Sequence, residues 1–123
     1  MIAIIDDDRI VREAIGDLVQ SLGYEVAIFE SAEQFLAAGG LAQTSCLITD
    51  IQLPGLSGLD LHRRLVKTDR HRPPPVIFVT ASPEKLRQRV MNAGAVGFLS
   101  KPFEEGALIR CLEAALKPRQ RAA

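Results

Sequence analysis

The amino-acid sequence predicts an α/β fold, in which an open, doubly wound parallel sheet carries helices on both faces. Short apolar segments alternate with amphipathic segments five times along the 123 residues, a pattern typical of repeated strand–helix units. The strand segments are apolar almost throughout, as expected for strands that are buried on both faces. The length fits one domain, and right-handed crossovers leave few other topologies for such a chain.

The predicted strands are five short apolar runs, and the predicted helices are the amphipathic segments between and after them. The strands span residues 2–5, 24–29, 46–49, 75–80 and 95–100. The helices span residues 9–22, 31–40, 57–67, 82–94 and 104–116. Ser31 with Gln34, and Ser57 with Asp60, form capping boxes at two helix starts. Gly23 stands where a left-handed residue would end the first helix.

Apolar residues at helical spacing predict which helix faces are buried. In the first helix the predicted inner face consists of Val11, Ala14, Ile15, Leu18, Val19 and Leu22. In the last helix it consists of Leu108, Leu112 and Ala115. His62 lies among polar helix residues and His71 in a basic loop, so both are interpreted as surface residues without a catalytic role.

The composition argues against several classes of protein. Fifteen basic and fifteen acidic residues cancel, so no overall field draws this domain to nucleic acid or to a membrane surface. No apolar run approaches the ~20 residues of a membrane span, and no signal-peptide pattern precedes the first strand. A cytoplasmic location is therefore expected. Cys46 and Cys111 have no CxxC partner, and we interpret both as small buried hydrophobic residues.

Polar side chains follow four of the predicted strands, at the point where each strand ends. They are Asp6, Asp7 and Asp8 after the first strand, Asp50 after the third, Thr80 at the end of the fourth, and Ser100 and Lys101 at the end of the fifth. In an open parallel sheet, ligands bind beyond the carboxyl ends of the strands, where the strand order reverses. These groups are therefore expected to meet in one pocket.

A pocket with several carboxylates needs a cation. Two carboxylates ~5 Å apart repel by roughly 3 kcal/mol at an effective dielectric constant of 20. Magnesium fits, because it takes oxygen ligands and is typically bound by one or two carboxylates plus a phosphate oxygen. Lys101 would add positive charge and Thr80 a hydrogen-bond donor. Such a site suits transfer of a phosphoryl group to an oxygen nucleophile, since that chemistry is mainly positioning and charge neutralisation.

Four motifs in order resemble those of the receiver domain of bacterial two-component response regulators, and the resemblance covers nearly the whole chain. They are "IIDDD", "LITDIQLPGLSG", "VIFVTAS" and "GFLSKPF". The resemblance is greatest to regulators that carry LuxR-type output domains. It implies a flavodoxin-like (βα)5 fold with strand order 2-1-3-4-5. Leu53 departs from the methionine usual before Pro54, and Phe98 from the tyrosine found in many members.

The resemblance also implies a role for each residue of the pocket. Asp50 would accept a phosphoryl group from a sensor histidine kinase or a histidine phosphotransfer protein. Asp7, Asp50 and the backbone carbonyl of Gln52 would bind Mg2+, with Asp6 helping through water. Beyond self-phosphorylation from a phosphodonor and slow autodephosphorylation, no enzymatic activity is implied.

The remaining implied roles concern the response to phosphorylation. Lys101 would contact the phosphoryl oxygens, and the Lys101–Pro102 peptide bond would be cis. Thr80 and Phe98 would act as the switch. The signal would leave through the face made by the fourth helix, the fifth strand and the fifth helix, where Arg87 and Met91 are candidate contacts and a phosphorylation-dependent homodimer could form. Residues 1–117 would form the receiver domain, and 118–123 a tail or the start of a linker.

Two other interpretations of the acidic run remain open. The aspartates could cap the first helix, because carboxylates favour helix N-termini. Asp6 and Asp8 also form a D-x-D sequence after an apolar strand, which resembles the first motif of haloacid-dehalogenase-like phosphatases and would make Asp6 a nucleophile. Those enzymes need a further acidic pair after the lysine, and beyond Lys101 the only acidic residues are Glu104, Glu105 and Glu113.

Overall fold

The computed structural model describes residues 1–39, 43–68, 73–81 and 89–116. Five parallel strands form one sheet in the order β2-β1-β3-β4-β5. The strands are β1 (Ile2–Ile5), β2 (Val26–Phe29), β3 (Cys46–Asp50), β4 (Val76–Thr80) and β5 (Gly97–Ser100). The predicted fold class and strand order are confirmed.

Three of the described helices connect successive strands, and the fourth follows β5. They are α1 (Arg9–Ser21), α2 (Ala32–Ala37), α3 (Gly58–Thr68) and α4 (Glu105–Leu116). Helix α4 is the fifth helix of the sequence prediction. The predicted fourth helix, 82–94, lies largely outside the described residues, and its described part is helical over residues 89–92. None of the helices in the described ranges has the length and apolar character needed to span a bilayer.

Two hydrophobic clusters lie on opposite faces of the sheet. The α2–α3 cluster contains Ala3, Ile5, Phe35, Leu47, Leu61, Leu65 and Phe78, among others. The α1–α4 cluster contains Ile2, Ile4, Ile15, Val19, Ile48, Leu108 and Leu112, among others. Because successive strand residues point to opposite faces, each strand supplies side chains to both clusters, and this explains why the strands are apolar throughout.

The predicted helix ends are largely confirmed. Gly23 has a φ of +95°, as expected for the residue that follows a helix. Ser31 Oγ accepts a hydrogen bond from the Gln34 N–H at 3.0 Å, and Ser57 Oγ accepts one from the Asp60 N–H at 3.0 Å. The Gln34 side chain accepts from the N–H of Glu30, one residue before the cap, so this capping box is displaced by one position.

The buried face of α1 differs from the predicted one. Arg12 and Gly16 are buried together with Ile15 and Val19, whereas two residues of the predicted inner face, Ala14 and Leu22, are exposed. An added Cβ at Gly16 would lie 3.5 Å from the Ile28 side chain, an ordinary van der Waals distance, so this face of the helix lies against β2. The prediction followed residue type and therefore left a glycine and an arginine out of the inner face.

The prediction that His62 lies on the surface is wrong. Its exposed fraction is 4%, and its ring makes an edge-on contact with Phe78 at a centroid distance of 5.7 Å. Leu59 and Leu65, three residues to either side on α3, are also buried, so the helical spacing places His62 on the inner face. The same prediction for His71 concerns a position outside the described residues.

Candidate functional site

The carboxylates at the ends of β1 and β3 meet at the carboxyl edge of the sheet. The two strands are neighbours in parallel register, which brings Asp6 and Asp7 close to Asp50. One carboxylate oxygen from each of the three lies within 4.8 Å of the others. Asp6 and Asp50 are buried, at 1% and 6% exposure, whereas Asp7 is exposed. The predicted convergence of these side chains is thus present, with one carboxylate open to solvent.

Lys101 bridges two of these carboxylates. Its Nζ lies 2.9 Å from Asp6 Oδ2 and 2.8 Å from Asp50 Oδ2. The lysine follows β5, and its backbone N–H donates to the carbonyl of Thr80 at 2.8 Å. The Lys101–Pro102 peptide bond is cis, as predicted. The ammonium therefore connects the ends of β1, β3 and β5.

Burial and hydrogen bonding shift the pKa values of Asp6 and Lys101. Loss of solvation raises the pKa of Asp6, although Lys101 opposes the shift. Burial by itself would lower the pKa of Lys101, but hydrogen bonds to Asp50 and Asp6 outweigh that effect and raise the pKa. Lys101 is therefore a cation at neutral pH and partly compensates the carboxylates.

Hydrogen bonds and close packing fix the backbone at Asp50 and just after it. Asp50 Oδ1 accepts a hydrogen bond from the Gln52 N–H at 3.0 Å. The N–H of Gly58, at the start of α3, donates to the Ile51 carbonyl at 2.9 Å. A Cβ on Gly58 would collide with the main-chain carbonyl oxygen of Asp50. Helix α3 can thus begin directly against the end of β3 only because residue 58 has no side chain.

Glu33 of α2 contacts the loop between β3 and α3, which sequence reasoning missed. Its Oε2 accepts a hydrogen bond from the Leu56 N–H at 2.9 Å, and this bond lowers the pKa of Glu33. Gly55, with a φ of +76°, lies against the same carboxylate. Glu33 and Leu56 are 23 positions apart in the chain, so no local sequence signal predicts their contact.

The acidic run after β1 divides between two tasks. Asp8 is the N-cap of α1, and its carboxylate accepts from the N–H groups of Ile10 and Val11. Asp6 Oδ1 accepts from the Asp8 N–H at 2.9 Å, and Asp6 otherwise faces Lys101. The capping interpretation therefore holds for Asp8, while Asp6 and Asp7 belong to the carboxylate cluster.

Of the two predicted switch residues, Thr80 ends β4 and Phe98 lies within β5. Thr80 is fully buried and is paired in register with Ser100. Phe98 is partly buried and packs against the α2–α3 cluster, where it is paired in register with Phe78. Thr80 therefore lies on the strand between β3 and the edge strand β5, and Phe98 lies on the edge strand itself.

The donor set of the cluster fits a hard divalent cation. All three side chains offer carboxylate oxygens within reach of one another, and magnesium prefers such ligands while keeping several waters. The exposed position of Asp7 leaves a route for an ion from solvent. The carboxylates of Asp6, Asp7 and Asp50 could therefore hold a metal ion.

Comparisons with known proteins agree with this geometry. The family model of the response regulator receiver domain matches residues 2–113. The response regulator protein TodT of Pseudomonas putida is 40% identical over 124 residues, which cover 98% of this chain and 54% of TodT. The transcriptional regulatory protein FixJ of Bradyrhizobium diazoefficiens is 34% identical over 123 residues, which cover 99% of this chain and 59% of FixJ.

Solved structures show the same relationship. The crystal structure of FixJ-N superposes with a TM-score of 0.83 at 31% identity and covers 97% of this chain and 94% of that one. The response regulator StyR gives a TM-score of 0.81 at 39% identity and covers 94% of this chain and 58% of that one. The chain spans about half the length of the curated relatives it matches.

These matches give no support to the phosphatase alternative. The local structure argues in the same direction, because Asp6 is buried beneath Lys101 and Asp8 caps α1. The family match, the strand order and the carboxylate cluster all agree. The chain belongs to the response regulator receiver domain family, whose members are signalling domains of two-component systems.

Proposed function

We propose that Asp50 accepts a phosphoryl group from a sensor histidine kinase or a histidine phosphotransfer protein, in a Mg2+-dependent reaction in the cytoplasm. One observation carries the assignment: among the described residues, Asp50 stands alone as the carboxylate at the carboxyl end of β3, where it contacts Lys101 at 2.8 Å and lies within metal-sharing distance of Asp6 and Asp7. Asp6 also contacts Lys101, but it is only 1% exposed. The proposed receiver domain spans residues 1–117. Its last residue and the proposed tail, 118–123, lie outside the described part of the chain.

The proposed transfer is an exchange of one bond for another. A carboxylate oxygen of Asp50 attacks phosphorus, the bond between phosphorus and the donor's histidine nitrogen breaks, and that nitrogen keeps the electron pair. The product is an acyl phosphate on Asp50. Slow hydrolysis of this acyl phosphate, rather than turnover of an external substrate, would complete the reaction cycle.

The chain's own groups prepare this transfer. The Gln52 N–H holds one oxygen of Asp50 and the Lys101 ammonium holds the other, so the carboxylate is oriented before a donor arrives. Asp6, Asp7, Asp50 and the backbone carbonyl of Gln52 are the proposed Mg2+ ligands, with Asp6 acting through water. Bound Mg2+ would neutralise charge on the phosphoryl oxygens.

Lys101 and Thr80 are the proposed partners of the phosphoryl group. After transfer, Asp50 carries a doubly charged group, and the ammonium that already contacts Asp50 is placed to pair with it. Because the Lys101 N–H is bonded to the Thr80 carbonyl, a shift of either residue would affect the other. Phe98 lies on β5, the strand beside the one that Thr80 ends, and would complete the switch.

Phosphorylation of the full chain by acetyl phosphate and Mg2+ tests the assignment. Mass spectrometry should show one added phosphoryl group on the wild type and on Asp17→Asn, an exposed acidic control on α1. Asp50→Asn should take up none. If Asp50→Asn gains the same mass at the same rate, Asp50 is not the acceptor. Hydrolysis of a generic phosphate ester by the wild type would instead favour the phosphatase alternative.

The output face is a second part of the proposal. It is formed by the predicted fourth helix, β5 and α4, and it presents Met91 and Val96, which are 45% and 37% exposed. Arg87, the other candidate contact, lies outside the described residues. Phosphorylation should change amide exchange or self-association at this face, because Thr80 and Lys101 flank it. Changes confined to α1 and β2 would contradict this prediction.

A further inference from the structure

Arg12 is a buried cation that lies behind the carboxylate cluster and has no part in the mechanism described above. Its exposed fraction is 7%. Its Nη1 donates to the main-chain carbonyl of Asp6 at 2.7 Å, and its Nη2 lies 3.8 Å from Glu30 Oε1. A buried arginine is rare unless it is paired, and here the partner is the backbone of a proposed metal-site residue.

The hydrogen bond of Arg12 fixes the peptide that joins Asp6 to Asp7. Asp6 is the first residue beyond β1, and its N–H donates to the Phe29 carbonyl at 3.2 Å. Its side chain accepts from the Asp8 N–H. With the carbonyl held by Arg12, the N–H, the side chain and the C=O of Asp6 are all bonded. The peptide plane that carries the exposed Asp7 is therefore set by α1.

The charge of Arg12 would by itself oppose binding of a cation. A guanidinium is always protonated in proteins, so it repels Mg2+ wherever it lies near the site. Two features weaken this effect: the guanidinium is bonded to a carbonyl rather than to the three carboxylates, and the carboxylate of Glu30 lies 3.8 Å away. The geometric effect of Arg12 should therefore exceed the electrostatic one.

We propose that Arg12 is a positioning residue for the divalent cation site, which acts by holding the Asp6–Asp7 peptide in the orientation that Mg2+ binding requires. The inference rests on the proposed function, because it assumes that the carboxylate cluster binds Mg2+. It adds a residue from the inner face of α1 to the groups on which that binding depends.

Direct Mg2+ titration of the full chain, followed by NMR of the amide signals of residues 6–8, tests this role without measuring phosphorylation. Arg12→Met should raise the dissociation constant about tenfold, the scale typical of residues that orient metal ligands. Arg12→Lys keeps the charge but cannot hold the Asp6 carbonyl and Glu30 together, so a smaller increase of about threefold is expected. Arg9→Met is the matched control, because Arg9 is exposed on the same helix and pairs only with Glu13 among the described residues.

Each outcome decides the matter. A folded Arg12→Met protein with the dissociation constant of the wild type would show a purely structural role and overturn the inference. Tighter binding by this variant would show that charge dominates, which also overturns it. If Arg12→Met does not fold, the comparison of Arg12→Lys with Arg9→Met decides in the same way. A wild type whose signals do not respond to Mg2+ would instead remove the metal site from the proposed function, and the inference with it.

Discussion

At the scale of single residues, His62 is a buried side chain that the sequence places among polar helix residues. It is 4% exposed, and its Nδ1 has no hydrogen-bond partner within the described part of the chain. Loss of solvation lowers the pKa of the imidazole. The folded protein therefore holds His62 neutral in a range where the unfolded chain already protonates it, which makes stability depend on pH.

The free energy of unfolding should fall as the pH drops through about 6.5, because the unfolded state takes up a proton that the folded state refuses. The slope is limited to about 1.4 kcal/mol per pH unit for one group. Urea melts in chelator at several pH values measure this slope for the wild type and for His62→Gln. The difference between the two slopes also separates the effect of His62 from that of Asp6, whose raised pKa adds stability as the pH falls. Equal slopes for the wild type and His62→Gln would refute the assignment to His62.

At the scale of elements, the start of α3 and the end of β3 meet with no room for a side chain. The Gly58 N–H bonds to Ile51, and the Gly58 Cα faces the carbonyl oxygen of Asp50. The position of the proposed phosphoacceptor is thus set by helix packing as well as by the sheet. Gly16 on α1 makes the opposite case, since an added Cβ there would make only ordinary contact with Ile28, at 3.5 Å.

Gly58→Ala should destabilise the fold by about 1–3 kcal/mol, the typical result of forcing a methyl group into a filled space. The same change should slow acetyl phosphate uptake, because it displaces the backbone of Asp50. Gly16→Ala is the control, and it should be neutral or stabilising by up to about 1 kcal/mol through helix propensity. Urea melts compare the two variants. Equal effects would show that the contact at Gly58 is not tight.

The elements also show what a sequence can and cannot predict. Apolar runs predicted all five strands, and capping residues predicted helix starts, because strand burial and helix caps are local signals. The inner face of α1 was predicted less well. Arg12 and Gly16 lie at helical spacing with Ile15 and Val19, but a charged residue and a glycine do not by their type indicate a buried position. The bond between Glu33 and Leu56 could not be predicted, because it depends on tertiary packing alone.

At the scale of the whole molecule, charge is balanced in number but not in space. Equal numbers of acidic and basic residues coexist with three carboxylates gathered at one edge of the sheet. The positions of the aspartates at the ends of the predicted strands predicted this gathering, and the observed strand order brings β1 beside β3. The double contact of Lys101 and the support from Arg12 required the three-dimensional structure.

Magnesium should stabilise the wild type by mass action, by about 1.4 kcal/mol at ten times its dissociation constant. Asp7→Asn should gain much less from the ion. In chelator, Asp7→Asn should be more stable than the wild type by about 1 kcal/mol, the low end for a close like-charge pair because Asp7 is exposed. Asp17→Asn should respond to Mg2+ like the wild type. Urea melts with and without the ion test this, and identical responses of all three proteins would mean that the carboxylates do not bind Mg2+.

The alternation along β1 determines which kinds of genetic change this domain can tolerate. Ile2 and Ile4 belong to one hydrophobic cluster, and Ala3 and Ile5 to the other. A substitution at one of these positions disturbs one side of the sheet. Loss or gain of a single codon would exchange the two sides for the rest of the strand. A loss would also move Asp7 into the buried place of Asp6, and a gain would move Ile5 there. In these four residues, insertions and deletions should therefore be eliminated far more strictly than replacements.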